Sequence, residues 1–352
     1  MSDTNQTKLE EYLKTFSETE WLDTIAELLP SIHPVDQNAV QIWFRFHSLA
    51  LFNYLESAEN RDEAEKSVAM QGKFSLSGAI DSSHDFLYGH RYWKTVKAAI
   101  EAEAQVFASA NISLGEEIRQ VAAMAAEKVR AEQPLIVGIT AVGLMTLLQV
   151  GFAEFNAAAG EVAKPRGLMS KSPKAIVAER AKDDSQGLLG FLKTINKKFS
   201  VIFDETSENR FDIINDQEVA SASGNDRSQN WQAKDERCWE GPVPVECVSA
   251  SCGTCWVGVL GGQEKLSDLS RRERRAIKVF GYDQSDEEKP FIRLACQAKA
   301  AGNVTIVIPP WNAVFGKKIY KNIEDLELEP VTTSAKALRE AVREATAGSS
   351  GE

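Results

Sequence analysis

ECVSASCGTCWVGVL, residues 246–260, and RLACQ, residues 293–297, decide how the C-terminal part of this chain is read. They set cysteines at 247, 252, 255 and 296, a C-x4-C-x2-C run followed by one distant cysteine. Thiolates are soft, anionic donors suited to iron. Three on one tight loop wrap around a group that a fourth closes from another part of the fold. The residues between them are small: Ser249, Ala250, Ser251, Gly253 and Thr254. They let the loop curl and turn backbone N–H groups inward, with Gly253 the position expected to need a positive φ.

This spacing is the plant-type signature of a two-iron, two-sulfide centre, [2Fe–2S], in which each iron takes two protein ligands. A four-thiolate zinc site and a pair of disulfides are the rival readings. Zinc ribbons use two C-x2-C pairs, whereas Cys296 has no companion. All five cysteines lie in the last third of the chain. The N-terminal MSDTNQTKLEEYLKTF lacks the basic end and apolar run of a secretory signal, so a cytoplasmic chain is expected, where clustered cysteines favour metal. The fifth cysteine, Cys238, reads as a spare thiol.

From about Asn196 to Pro330 the chain resembles the plant-type [2Fe–2S] ferredoxin family. The resemblance rests on a paired-strand start (FSVIF, 199–203, and RFDII, 210–214) and a short helix near Asp216–Gly224. The cysteine loop with CGTC follows, then RLACQ before a last strand in NVTIVI (303–308). It implies a β-grasp fold with Cys247, Cys252, Cys255 and Cys296 as the ligands. It also implies one-electron transfer without substrate chemistry, at a potential on the order of −400 mV. The partners implied are redox proteins, a reductase or an electron-accepting complex. The family loop usually has Gly where this chain has Ala250. The segments Gly224–Cys247 and Cys255–Cys296 are longer than usual, the second by a charged insertion, SRRERRAIKVFGYDQSDEEKP, at 270–290.

Upstream, residues 1–160 read as an all-helical domain of no recognised family. Residues 161–195 read as a Lys-, Ser- and Pro-rich linker, 196–330 as the ferredoxin-like domain and 331–352 as a tail, an α+β chain overall. Ser17 with Glu20 makes a capping box ahead of Trp21, Ile25 and Leu28 at helical spacing. Asp36 is expected to cap a second helix, and longer helices are expected near Ser82–Ser109 and Leu114–Ala131. Leu135–Ala153 runs nineteen residues without a charge. That length suits a membrane span, but Gln149 interrupts it, and the cations from Lys164 to Lys174 would require export of the polar N-terminal domain. A helix buried in a bundle is the favoured reading, with membrane association through Leu135–Ala153 the alternative.

A net charge of −11 excludes nucleic acid as the expected partner and suits docking on basic protein patches. The chain has no GxxxxGK[ST], no GxGxxG after a strand and no GxSxG. His33, His47, His84 and His90 all fall in the helical part, where structural roles are favoured. The sequence therefore predicts an electron carrier rather than an enzyme, its helical domain docking it to a larger complex or membrane. An electron-entry subunit of a multi-subunit oxidoreductase and a redox-sensing scaffold are the alternatives.

Overall fold

The computed structural model describes residues 6–72, 74–108, 111–182, 184, 197–206, 209–282, 289–312 and 315–320. The chain divides into two compact units. The first takes 1–53, 74–178 and 205–207, and the second takes 54–73, 179–204 and 208–352. Helices α1 (Lys8–Leu13), α2 (Glu18–Leu28), α3 (Gln37–Phe46), α4 (Leu49–Glu56), α5 (Arg61–Ser67), α6 (Trp93–Val106), α7 (Leu114–Val129), α8 (Pro134–Val150), α9 (Phe152–Ala157) and α10 (Pro173–Arg180) precede the first strand. The boundary between units falls within α4 and again within α10, and α5 belongs to the second unit.

In the first unit α2 opens with the capping box read from the sequence, Ser17 and Glu20 each bonding the other's backbone N–H. Asp36 precedes α3 but does not cap it with its side chain. Its carboxylate instead accepts the N–H groups of Tyr88 at 2.6 Å and Gly89 at 2.8 Å. That capture explains why the helix expected from Ser82 starts only at Trp93: residues 88–92 are a 3-10 turn held by Asp36.

Helix α8 is the centre of this unit. Every residue from Leu135 to Gln149 is buried, as expected for a helix apolar on all sides. Its glycines serve packing: a Cβ on Gly143 would lie 2.5 Å from Ile100 Cδ1. Gln149 Nε2 donates to His47 O at 2.9 Å, while its buried Oε1 has no partner among the described residues. Gly151, at φ +81°, ends the helix. No helix of the described residues is long and apolar enough to cross a membrane.

Three of the histidines, His47, His84 and His90, are buried, whereas His33 is half-buried and accepts the Val35 N–H at 3.2 Å. His84 Nε2 donates to Ile80 O at 3.2 Å, so its Nδ1 is the acceptor for His90 Nδ1–H at 2.9 Å. Burial lowers the pKa of both, His90 to about 4.

The second unit holds β1 (Lys198–Asp204), β2 (Asn209–Ile214), β3 (Gln217–Glu218), α11 (Val219–Ser223), α12 (Trp231–Lys234), β4 (Trp256–Gly261), α13 (Arg271–Phe280), β5 (Ile292–Leu294), β6 (Lys299–Ala300), β7 (Val304–Val307) and α14 (Gly316–Tyr320). Five strands form one mixed sheet in the order β2-β1-β7-β4-β5, with β1 and β7 parallel and the other pairs antiparallel. β3 and β6 make a small separate ribbon. The α+β class, with helices first and a mixed ferredoxin-like sheet after, is as the sequence indicates.

The hairpin read from FSVIF and RFDII is β1–β2, and every residue of β4 is buried. The charged insertion is ordered at its start as α13, capped by Ser270 and closed by Gly281 at φ +80°. Within the expected linker, Pro173–Arg180 is helical, while its part from 185 to 195 and the expected tail, 331–352, lie outside the described residues.

Glu117 on α7 is 1% exposed with Oε1 lacking a partner, and burial, followed by the charge of Glu103, pushes its pKa up to about 7. Between about pH 4.5 and 7 the folded chain keeps a proton that the unfolded chain releases, so stability falls as pH rises through that window, by on the order of 3 kcal/mol. Glu117→Gln is therefore expected to raise the melting temperature of the first unit at pH 8 and leave it nearly unchanged at pH 4.5. Calorimetric melts at the two pH values check this, and an equal shift at both would contradict it.

Candidate iron–sulfur site

Cys247, Cys252 and Cys255 lie on the loop leading into β4, and Cys296 follows β5, the strand paired with β4 through Trp256 and Leu294. Cys247 and Cys255 are 1% exposed and Cys296 6%, while Cys252 is half-buried. The sulfurs meet in pairs, Cys247 with Cys252 and Cys255 with Cys296, each pair within hydrogen-bonding reach.

Within each pair one thiol donates to the other. The Cys252 thiol donates to Cys247, which lowers the Cys247 pKa to about 5, helped by the Ser249 hydroxyl and the N–H groups of Ser249 and Ser251. Cys252, as that donor, holds its own proton more tightly. Likewise the Cys255 thiol donates to Cys296 and lowers its pKa, with the Gln297 amide and the Ala250 N–H adding to the effect. The Cys255 pKa is correspondingly raised, by that bond and by burial.

The curled backbone makes these donors available. Gly253 takes φ +70°, the positive value expected of it. Ala250 takes φ +60° as well, although it carries a Cβ. This is how the chain manages without the usual glycine: Ala250 accepts the left-handed conformation, at about 1–2 kcal/mol, and its N–H faces Cys296.

Two side chains that the motif did not single out as donors complete the set. Thr254 Oγ1 accepts the Glu246 N–H at 3.1 Å and lies 3.1 Å from Cys252 Sγ, so its own proton is available to the sulfur. Gln297 Nε2 donates to Val248 O at 3.2 Å and lies 3.6 Å from Cys296 Sγ, joining the two ligand segments directly. Its position beside Cys296 was the signal, but adjacency alone does not reveal which way an amide points.

The longer segments prove to be braces. Glu273 of α13 is 0% exposed and Arg293 of β5 1%. They form a two-pronged pair at 2.8 and 2.9 Å, and Glu273 Oε1 also accepts the Leu294 N–H at 2.8 Å. The charged insertion thus grips the strand that leads to Cys296. On the other side Asn312 donates to Thr254 O and accepts from Arg237 at 2.9 Å. Gln71, far upstream in sequence, bonds Glu246 at 2.7 Å and the Asn312 carbonyl at 3.1 Å. Trp256, next to Cys255, is fully buried in edge contacts with Phe280 and Tyr282, a packing role. Cys238 is also buried, its thiol donating to Pro242 O at 3.2 Å and its pKa pushed up to about 12 by burial.

The family model of the 2Fe-2S iron-sulfur cluster binding domain matches residues 214–301, a stretch that contains all four cysteines. These residues form a 2Fe–2S cluster-binding domain. The N-terminal region lies outside that match, and no curated protein and no solved structure matches the chain.

The donor set fits the cluster that the domain binds. Two pairs of thiols suit a group with two irons, each taking two protein ligands. The ferredoxin-type domain is thus an electron-transfer module, and redox proteins are its partners.

Two substitutions test this geometry. Ala250→Gly relieves the left-handed strain but adds about 0.4–1 kcal/mol of unfolded-state entropy, so a net gain on the order of 0.5 kcal/mol is expected in thermal melts; a loss would contradict the assigned strain. Glu273→Ala leaves Arg293 buried without its partner and is expected to cost about 3–5 kcal/mol in denaturant unfolding of the second unit. A cost under about 1 kcal/mol would show that the pair is not a brace.

Proposed function

We propose that Cys247, Cys252, Cys255 and Cys296 hold the [2Fe–2S] cluster, the first two on one iron and the last two on the other. The chain is then a low-potential, one-electron carrier between a reductase and an electron-accepting complex. The single observation carrying this reading is the juxtaposition of four buried or half-buried cysteines on the loop before β4 and directly after β5, two segments linked by the Gln297 amide. Bound there, the cluster supplies one-electron transfer with no bond made or broken in a substrate.

The chain's own residues set the conditions. The N–H groups of Ser249, Ala250 and Ser251, with the Thr254 hydroxyl, point at sulfur and favour the more negative, reduced state. Burial of Cys247, Cys255 and Cys296 excludes water and opposes that effect. The balance expected is a potential on the order of −400 mV, that of plant-type ferredoxins. The helical unit, which carries no nucleotide motif, is assigned to holding the carrier at a larger assembly.

Anaerobically purified chain should contain about two irons and, after dithionite reduction, give a rhombic spin-half EPR signal. Cys296→Ala is expected to remove that signal and most of the iron, whereas Cys238→Ala keeps both. A Cys296→Ala protein with a normal two-iron centre would overturn the ligand assignment.

A further inference from the structure

Helix α13 carries Arg271, Arg272, Arg274, Arg275 and Lys278 in a chain whose net charge is −11. Its one carboxylate, Glu273, is turned inward and neutralised by Arg293. Ala276, Ile277, Val279 and Phe280 are buried with it, so the cations occupy the remaining sides; Arg271, Arg272 and Arg274 are exposed and Arg275 and Lys278 half-exposed. Arg271, Arg275 and Lys278 fall at i, i+4 and i+7 and make one stripe.

This arrangement is unfavourable for the helix itself. Like charges four residues apart repel, and Arg271 and Arg272 sit in the first turn, at the positive end of the helix dipole.

The stripe begins beside the sulfur site. Ser270, the cap of α13, donates to Gln297 Oε1 at 3.0 Å, and Gln297 Nε2 lies 3.6 Å from Cys296 Sγ. The same amide holds Val248 O, and the Val248 side chain is 54% exposed directly after the ligand Cys247. A basic stripe and an exposed apolar residue are therefore both tied to the Gln297 amide that lies beside Cys296.

We propose that the Arg271–Arg275–Lys278 face of α13, with Val248, docks an acidic redox protein, so that local charge rather than the net charge of the chain selects the partner. The proposal rests on the one-electron-carrier reading above. One electron leaves the reduced cluster and one enters the acceptor, with no proton or group transferred. Steering by opposite charge speeds encounter, and the apolar contact sets distance at the exit.

The test uses the reduced, cluster-loaded full chain. Ferricyanide and hexaamminecobalt(III) probe local potential, and oxidised flavodoxin, an acidic acceptor, probes docking. Oxidation by ferricyanide is expected to slow roughly three- to tenfold as salt is raised to about 0.2 M, and oxidation by hexaamminecobalt(III) to quicken. The variant Arg271→Gln/Arg275→Gln/Lys278→Gln should lose most of that ferricyanide response and bind flavodoxin at least about fivefold more weakly by surface plasmon resonance. Arg271→Lys/Arg275→Lys should keep both, and so should Lys198→Gln/Arg210→Gln, which removes cations from β1 and β2. Opposite salt responses in a loaded chain would overturn this proposal alone, whereas a chain that binds no cluster would overturn it together with the carrier reading. Binding to phosphatidylserine vesicles that the Gln variant abolishes, or salt-sensitive self-association through the stripe, would overturn it in favour of those occupants.

Discussion

Two stretches of chain about forty residues apart must deliver sulfur to one place, and the buried Glu273–Arg293 pair is what fixes the second stretch. One carboxylate takes both prongs of the guanidinium and the Leu294 N–H, two residues ahead of Cys296. A charge pair this deep is stable only when all of its hydrogen bonds are made. Here Ser267 O accepts a further Arg293 N–H at 3.0 Å. Gln297 then couples that fixed segment to the first cysteine loop through Val248 O. The loop contributes its own constraint, since Ala250 and Gly253 must both turn left-handed for N–H groups to face sulfur.

Around this centre the structure is layered. Thr254 links Cys252 to the Glu246 N–H, and Asn312 links Thr254 O to Arg237, which is itself held by Asp235 in contacts of 2.6–3.0 Å. Gln71 closes the same network from a segment that the chain order places among helices. Disturbance of the 224–247 segment is thus transmitted to the cysteine loop through hydrogen bonds rather than loose contact. The first unit has its own organising centre in α8, held by packing and by the Gln149 amide donating to His47 O.

The sequence made the site legible because thiolate spacing encodes cluster geometry almost without reference to the fold. The β1–β2 hairpin, the short helix at 219–223 and β4 were legible from period-two patterning and turn residues. Other features were not. Ala250 in a left-handed conformation breaks a local rule, and only the demand for an N–H at Cys296 explains it. The Asp36 carboxylate looked like a helix cap because capping residues are short-range signals, while its actual partners, Tyr88 and Gly89, are distant in sequence. The bracing role of the insertion at 270–290 was not legible, because the burial partner of Glu273 lies twenty residues on, beyond the reach of any local pattern.

If four thiolates divide between two irons, Mössbauer spectroscopy of the full chain loaded with iron-57 will show two iron sites in equal amount. Both should be in tetrahedral sulfur coordination, and one should become ferrous on one-electron reduction. A single iron site, or an iron bound by nitrogen or oxygen donors, would contradict that division.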